Sequence, residues 1–253
     1  MNPSFQELGL SEERVQQLET LGFTEPTNIQ AQAIPHLLSG RDVVGQSQTG
    51  TGKTAAFSLP ILERLDVNHR AVQALVLAPT RELAIQVHDA VSTFIGNSGL
   101  RTAAIYGGQS IDRQIMQLRR GVHIVVGTPG RVIDLLERGS LKLDYVRWFV
   151  LDEADEMLSM GFIDDVEKIL SQAPTERQTA LFSATMPPSI RQLVNTFLND
   201  PVTVTVQQPK AAPNKINQVA YVVPRNWSKA RALQPILEME DPESALIFVR
   251  TRR

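Results

Sequence analysis

The sequence predicts an α/β domain built on a parallel sheet, and three observations carry that reading. Short apolar runs alternate with helical patterns through most of the 253 residues. The runs are rich in Val, Ile and Leu and lack in–out alternation, as strands covered on both faces require. Several of them pass into a helix through Ser, Thr or Asp, at the sheet edge where open α/β proteins gather their ligand groups.

Two helical segments, Ser11–Leu21 and Thr27–Leu38, precede the first strand. Strands are expected over Asp42–Gln46, Ala74–Ala78, Thr102–Tyr106, Ile124–Gly127, Phe149–Asp152, Thr179–Ser183 and Val202–Val206. Helices are expected over Thr54–Leu65, Arg81–Ile95, Arg131–Glu137 and Ile190–Leu198. Such β–α alternation places crossover helices on the faces of a parallel sheet. After Val206 the stretch Gln207–Asn214 is polar, aperiodic and carries Pro209 and Pro213, which predicts a linker over 207–216. Beyond it a strand (Val219–Val223), a helix (Lys229–Glu238) and a strand (Ala245–Arg250) open a second α/β unit. A segment this short buries no core of its own. The expected organisation is therefore a domain over 1–206, a linker over 207–216 and an incomplete second domain over 217–253, so that the sequence reads as a fragment.

Composition excludes more than it identifies. At 42% hydrophobic and 21% charged residues the profile is that of a globular protein. No run of about 18 apolar residues predicts a membrane span, so no membrane partner is expected. Met1–Phe5 has no basic stretch followed by an apolar one, so no secretory signal is expected. The absence of cysteine removes disulfides, thiolate metal sites and cysteine nucleophiles, and fits the cytoplasm. A net charge of −2 argues against a broad basic field coating nucleic acid; any such contact must come from a few placed groups.

Ser47, Gln48, Thr49, Gly50, Thr51, Gly52, Lys53 and Thr54 follow a strand and open a helix. They match the phosphate loop G-x-x-x-x-G-K-[ST] except that Ser47 stands for the first glycine. Glycines let backbone N–H groups turn inward around phosphate oxygens, and the helix N-terminus adds partial positive charge. Lys53 would reach the β- and γ-phosphates and the Thr54 hydroxyl would hold Mg²⁺. A glycine turn that merely starts a helix would share part of this pattern.

The apolar run Trp148–Leu151 leads straight into Asp152, Glu153, Ala154 and Asp155. Asp152 is placed to hold Mg²⁺ and Glu153 to orient or deprotonate the attacking water. An acidic helix start, whose carboxylates offset the helix dipole, would look the same locally. The strand before it and the phosphate loop earlier in the same sheet favour the catalytic reading. Pro79, Thr80 and Arg81, then Thr128, Pro129, Gly130 and Arg131, then Ser183 and Thr185, also stand at strand-to-helix junctions. Each is readable as a helix cap, with Pro129 at the first helical position. Each is equally a place where a phosphate backbone can be held.

These motifs, in this order, resemble the DEAD-box RNA helicase family over the whole chain. Asp152–Asp155 is similar to the name-giving motif, and Ser47–Thr54 to the family's phosphate loop, in which many members have alanine at the Ser47 position. The resemblance implies that Pro79, Thr80, Arg81, Gly107, Gly108, Thr128, Pro129, Gly130 and Arg131 contact the RNA backbone. It also implies that Asp155, Ser183 and Thr185 couple the nucleotide state to the RNA state. Gly22–Gln30, with Phe5 ahead of it, resembles the adenine-reading Q motif: Gln30 on the adenine edge, Phe23 beside the ring, Phe5 closing the pocket. Read locally, Thr27 and Gln30 also form a capping box. The fold implied is two RecA-like domains joined by a linker, and Leu246–Thr251 resembles the opening motif of the second. ATP and Mg²⁺ are the implied cofactors, with Lys53, Asp152 and Glu153 catalytic and Thr54 and Asp152 on the metal. The implied partner is RNA, as a single strand or short duplex, and the implied activity is ATP hydrolysis coupled to local unwinding. Alone, this fragment is expected to bind nucleotide and be nearly inactive. An RNA clamp or assembly scaffold, or a P-loop ATPase acting on DNA or protein, are the competing readings. Met157–Asp165 and Trp227–Ala230 look like bacterial, including cyanobacterial, members.

The remaining features are read as structural. His36, His69, His88 and His123 show no metal-ligand spacing; Met157, Met160 and Met186 fill gaps. Asp164, Asp165 and Glu167 form a solvated helix face, while Trp148 and Trp227 pack. The apolar strands of the tail are open edges on which a second copy of the chain can pair.

Overall fold

The computed structural model describes residues 3–206, 217 and 219–249, so the expected linker lies outside the described residues. The chain divides into two units, residues 1–209 and 210–253. In the first, the described residues form seven strands: β1 (Val43–Gln46), β2 (Ala74–Leu77), β3 (Thr102–Ile105), β4 (Ile124–Gly127), β5 (Trp148–Leu151), β6 (Gln178–Ser183) and β7 (Val202–Thr205). With them run the helices α1 (Glu12–Thr20), α2 (Asn28–Leu38), α3 (Lys53–Leu62), α4 (Arg81–Ile95), α5 (Ile111–Arg119), α6 (Pro129–Glu137), α7 (Ala154–Ser159), α8 (Ile163–Gln172) and α9 (Pro188–Phe197).

The strands form one sheet in the order β3-β4-β2-β5-β6-β1-β7, every neighbouring pair parallel. All carboxyl ends therefore share one edge. Residues alternate between the faces, as a pleated strand demands. Ala74 and Val76 join Ile29, Phe57 and Phe182 in one apolar core, while Leu75 and Leu77 join Phe149, Leu151 and Ile169 in the other. Burial on both faces explains why β2 and β4 carry no polar alternation in sequence. Gly45 has a packing reason: a Cβ there would come within 2.4 Å of the Phe182 ring.

Every expected strand of this unit is present; β4 has the expected bounds and the others differ by a residue at one or both ends. Asp42 stands outside β1, because its buried carboxylate accepts from the N–H groups of Thr179 and Asn199, both at 2.7 Å. Burial raises its pKa above the usual carboxylate range, against those two bonds and the charges of Arg177 and Arg41. Helix α5 was not expected; its Ile111, Ile115 and Leu118 pack on the second core.

In the second unit the expected helix is α10 (Lys229–Glu240), where the Ser228 hydroxyl accepts from the Arg231 N–H at 3.1 Å. The strands expected over 219–223 and 245–250 do not form among the described residues. A strand exists through its hydrogen-bonded neighbour, and here 219–223 and 245–249 have none; Val222 is 98% exposed and Phe248 87%.

Candidate nucleotide-binding site

The phosphate loop leaves β1 beside β6, where the Ser47 N–H donates to the Ser183 carbonyl at 3.1 Å. Gly50 and Gly52 turn it through left-handed backbone, φ +80 and +93, which only glycine adopts freely. Gly52 also lacks room for a side chain: a Cβ would sit 2.4 Å from Gln30 Nε2. The Thr51 hydroxyl donates to the Gln48 carbonyl at 2.9 Å and hydrogen-bonds the Ser47 hydroxyl at 3.1 Å. The serine that departs from the glycine pattern thus braces the loop.

Lys53 opens α3 and is buried, with Nζ 3.7 Å from Asp152 Oδ1. Asp152 follows β5 and its N–H bonds the Leu77 carbonyl of β2 at 2.9 Å. Its carboxyl is pushed up to about 6: burial dominates, the Lys53 charge pulls down and the Glu153 charge pushes up. Glu153 sits at φ 54, left-handed for a non-glycine residue, at the N-cap of α7. Its Oε1 accepts from the Thr49 hydroxyl at 3.0 Å. Loop, lysine and both carboxylates therefore meet at one sheet edge.

These groups fit a magnesium triphosphate. Asp152 Oδ1 is a buried acceptor with no hydrogen-bond partner among the described residues, next to a buried cation. No group of three His, Cys, Asp or Glu that could hold a metal occurs among the described residues. The single buried Asp152 carboxylate is what Mg²⁺ needs, since that ion usually takes one or two carboxylates and completes its shell with phosphates and water.

Asp155 is one turn further on. Its Oδ2 accepts from both the N–H and the hydroxyl of Thr185, each at 2.9 Å, and its N–H donates to the Ser183 hydroxyl at 3.3 Å. The Ser183 hydroxyl in turn donates to the Thr185 carbonyl at 2.7 Å. Burial raises the Asp155 pKa, but the bonds from Thr185 and Ser183 outweigh it and hold the carboxyl below its usual range. On the other side of the loop, Gln30 is buried and used twice. Its Oε1 accepts from the Thr27 N–H at 2.9 Å, which is its half of the capping box, and its Nε2 donates to the Gly52 carbonyl at 3.1 Å. Phe23 is half-buried, edge-on to Phe94 at 5.4 Å, and Phe5 is buried in the first core.

The junctions singled out for a nucleic-acid backbone follow β2, β3 and β4, three adjacent strands. Thr80 caps α4, its hydroxyl accepting from the Leu83 N–H at 3.1 Å, whereas Thr128 stands at the N-cap of α6 without a side-chain bond. Arg81 lies over the Tyr106 ring, 5.0 Å from its centroid, and a Cβ on Gly108 would come within 3.3 Å of the Arg81 guanidinium. Arg131 donates to the Gln109 carbonyl and to Gln114 Oε1, both at 3.1 Å. Gly107, Gly108 and Gly130 are exposed, and Pro79 and Pro129 are buried.

A family model described as DEAD/DEAH box helicase matches residues 27–193. The chain belongs to the DEAD/DEAH box helicase family. It is 62% identical over its whole length to the RNA helicase CrhR of Synechocystis sp., covering 51% of that protein. It is 51% identical to the DEAD-box ATP-dependent RNA helicase CshA of Geobacillus kaustophilus over 99% of this chain and 53% of that protein. The chain thus spans about half the length of the curated relatives it matches. Among solved structures, a DEAD box protein from the hyperthermophile Methanococcus jannaschii aligns with a TM-score of 0.78 at 45% identity, over 81% of this chain and 56% of that one. The helix-flanked parallel sheet is the RecA-like fold that the DEAD-box resemblance implied, and the bacterial and cyanobacterial likeness of its motifs agrees with these relatives.

Sequence reasoning about this DEAD-box chain missed Gln114. It is fully buried, donates to the Tyr106 carbonyl at 2.9 Å, and fixes Arg131. Its signal was the i, i+4, i+7 spacing of Ile111, Ile115 and Leu118, which reveals α5 and puts Gln114 beside its buried stripe.

Proposed function

We propose that the protein is an ATP-dependent RNA helicase in which residues 1–206 bind ATP with Mg²⁺ and hold one RNA strand. The observation that carries this is the meeting of Lys53 with Asp152 at 3.7 Å and of Thr49 with Glu153 at 3.0 Å across one cleft. In this reading the loop amides from Gln48 to Thr54 cradle the phosphates and Lys53 neutralises the β- and γ-oxygens. Thr54 and Asp152 hold Mg²⁺, which when bound spreads the phosphate charge and makes the terminal phosphorus easier to attack. Glu153 orients the attacking water and takes its proton. Gln30 keeps one N–H and one carbonyl lone pair beyond its present bonds for an adenine edge; Phe23 and Phe5 complete that side.

RNA lies along the Thr80–Arg81, Gly107–Gly108 and Thr128–Arg131 junctions, its phosphates bonded by backbone N–H groups and the two arginines. The contacts joining Asp155, Ser183 and Thr185 carry the nucleotide state toward that face. In the complete protein a second domain adds an arginine to the nucleotide, worth about 10³–10⁵ in rate in related systems. Residues 217–253 begin that domain, 207–216 link the two, and the exposed side chains of Val222 and Phe248 are where the rest of its sheet, or a second copy of the chain, pairs. A cytoplasmic site of action belongs to the same reading. No helix among the described residues is long and apolar enough to cross a membrane.

The test is RNA-stimulated ATP hydrolysis and strand displacement, measured on this chain and on the complete protein. The complete protein is expected to do both and this chain to bind nucleotide with little turnover. Tight ATP-dependent RNA retention without displacement would favour a clamp; absence of RNA stimulation in the complete protein would overturn the reading.

A further inference from the structure

The pole of the sheet opposite the nucleotide loop carries a cleft that the catalytic reading does not use. Its volume is about 370 Å³, and it is lined by Leu37, Arg64, Arg147, Trp148, Arg177 and Gln178, with the Glu176 carboxylate beside them. Three arginines thus line one concavity in a chain of net charge −2. The strands explain their proximity. Trp148 starts β5 and Gln178 starts β6 in register, with the Gln178 N–H on the Arg147 carbonyl at 2.8 Å. Arg147 and Arg177 therefore flank each other at the amino edge.

Two of the arginines have structural duties that hold them still. Arg64 donates to the Leu38 carbonyl at the end of α2. Arg177 donates to the carbonyls of Ala173 and Pro174 past α8, at 3.4 and 2.7 Å, and lies 5.8 Å over the Phe149 ring. Cations at helix C-termini are expected on dipole grounds, and that alone accounts for these two. It does not account for Arg147, which is exposed and whose guanidinium has no hydrogen bond or ion pair among the described residues. Nor does it account for the half-buried Trp148, which packs on the first core and also lines the cleft.

We infer that this cleft is an auxiliary RNA site, taking a phosphate among Arg147, Arg64 and Arg177 and the neighbouring base against Trp148. The inference rests on the RNA reading above. The guanidinium of Arg147 can meet phosphate oxygens in pairs through its planar fork. Arg64 and Arg177, already bonded to backbone carbonyls, add positive charge beside it, and an indole supplies the sequence-tolerant stacking by which single strands are held. The cleft is the size of a nucleotide, near the lower end of ligand pockets. An acidic peptide would use the arginines but leave the indole without a matching partner. A strand held here lies at the opposite sheet edge from the motif face, so the site retains flanking RNA rather than the segment being separated.

The test is tryptophan fluorescence titration of the chain with a ten-nucleotide oligouridylate, at several salt concentrations, for the unaltered chain, Arg147→Glu and Arg81→Glu. Arg147 is exposed, so its variant is expected to fold and to keep its nucleotide affinity. The expected result is quenching in the unaltered chain and about tenfold weaker binding for Arg147→Glu. The salt slope should also shrink by about 0.7, the value for one phosphate of a single strand. If Arg81→Glu weakens binding while Arg147→Glu changes neither affinity nor slope, the auxiliary site is overturned and the RNA reading stands. If the unaltered chain binds no oligouridylate, both fall. Quenching by poly-glutamate that depends on Arg147, without any by oligouridylate, would overturn the RNA assignment of the cleft.

Discussion

The Thr49 hydroxyl and the Glu153 carboxylate are joined at 3.0 Å, so the turn of the phosphate loop bears directly on the residue that follows β5. Glu153 holds a left-handed conformation, φ 54, that costs a non-glycine residue about 1–2 kcal/mol. The backbone is bent where the carboxylate has to face the loop, and the bend is kept by the start of α7, whose Met157 N–H reaches the Glu153 carbonyl at 3.1 Å. Glu153→Gln keeps an acceptor for Thr49 and removes the proposed base. In the complete protein it should leave ATP affinity within about threefold and slow hydrolysis by about 10²-fold or more. Single-turnover phosphate release checks this, and brisk release would remove Glu153 from the mechanism.

Gly52 is constrained twice, by φ +93 and by the 2.4 Å that would separate a Cβ from Gln30 Nε2. Gly52→Ala should therefore destabilise the first unit by about 1–3 kcal/mol and weaken nucleotide binding, since Gln30 must release the Gly52 carbonyl. Urea unfolding and calorimetric titration with ADP read the two effects. Gln30→Ala combined with Gly52→Ala should recover part of the stability, because the 2.4 Å approach is gone while the φ strain and the Thr27 hydroxyl, 3.0 Å from the Cβ position, remain. No recovery would show that the close approach is not what excludes a side chain.

How far the sequence could be read depended on how local each feature is. The phosphate loop and the Asp152–Asp155 run are short contiguous patterns attached to apolar strands, and the strands themselves announce their burial. By its place beside Val43 and Val44, Asp42 reads as strand. Its carboxylate serves Thr179 and Asn199 instead, residues far along the chain that no local pattern ties to it. The same holds for Thr49 with Glu153, which follow β1 and β5, and for Arg131 with Gln114, on α6 and α5: each pair meets only once the sheet is assembled. In the tail, Val219–Val223 is apolar enough for a strand, yet pairing depends on a neighbour that no described residue provides.

Asp155 and Thr185 are joined by two bonds to one carboxylate oxygen, each 2.9 Å. Thr185→Val removes the hydroxyl and leaves the backbone N–H. With Asp155→Asn as the partner mutation, a double-mutant cycle on urea stability should give a coupling of about 1 kcal/mol, at the low end for a charged acceptor because Thr185 is exposed. In the complete protein both single variants should retain ATP binding and lose much of the RNA stimulation. Full stimulation in Thr185→Val would mean that the hydroxyl bond carries no signal between the two sites.

His123 offers a pH test of the fold that is independent of the nucleotide site. It is buried, its Nδ1 accepts from the Arg101 N–H at 2.9 Å, and its Nε2 therefore carries the hydrogen that meets the Val67 carbonyl at 3.1 Å. Burial pushes its pKa below the ordinary value of 6.5; the Arg101 charge pushes the same way, while the bond to Val67 and the Asp66 charge oppose it. The unfolded chain thus takes up this proton at a higher pH than the folded one. Stability should fall as pH drops below about 6.5 and level off only under the folded-state pKa. Asp152, raised to about 6, contributes in the opposite sense in the same window, so the diagnostic quantity is a difference. His123→Gln shares the Asp152 contribution and lacks the imidazole. Urea midpoints at pH 7.5, 6.5 and 5.5 should therefore converge between the two proteins as pH falls, with the variant weaker by about 1 kcal/mol at pH 7.5. Parallel curves would show that the imidazole takes up its proton at the same pH in the folded and unfolded chain, so that burial does not shift it.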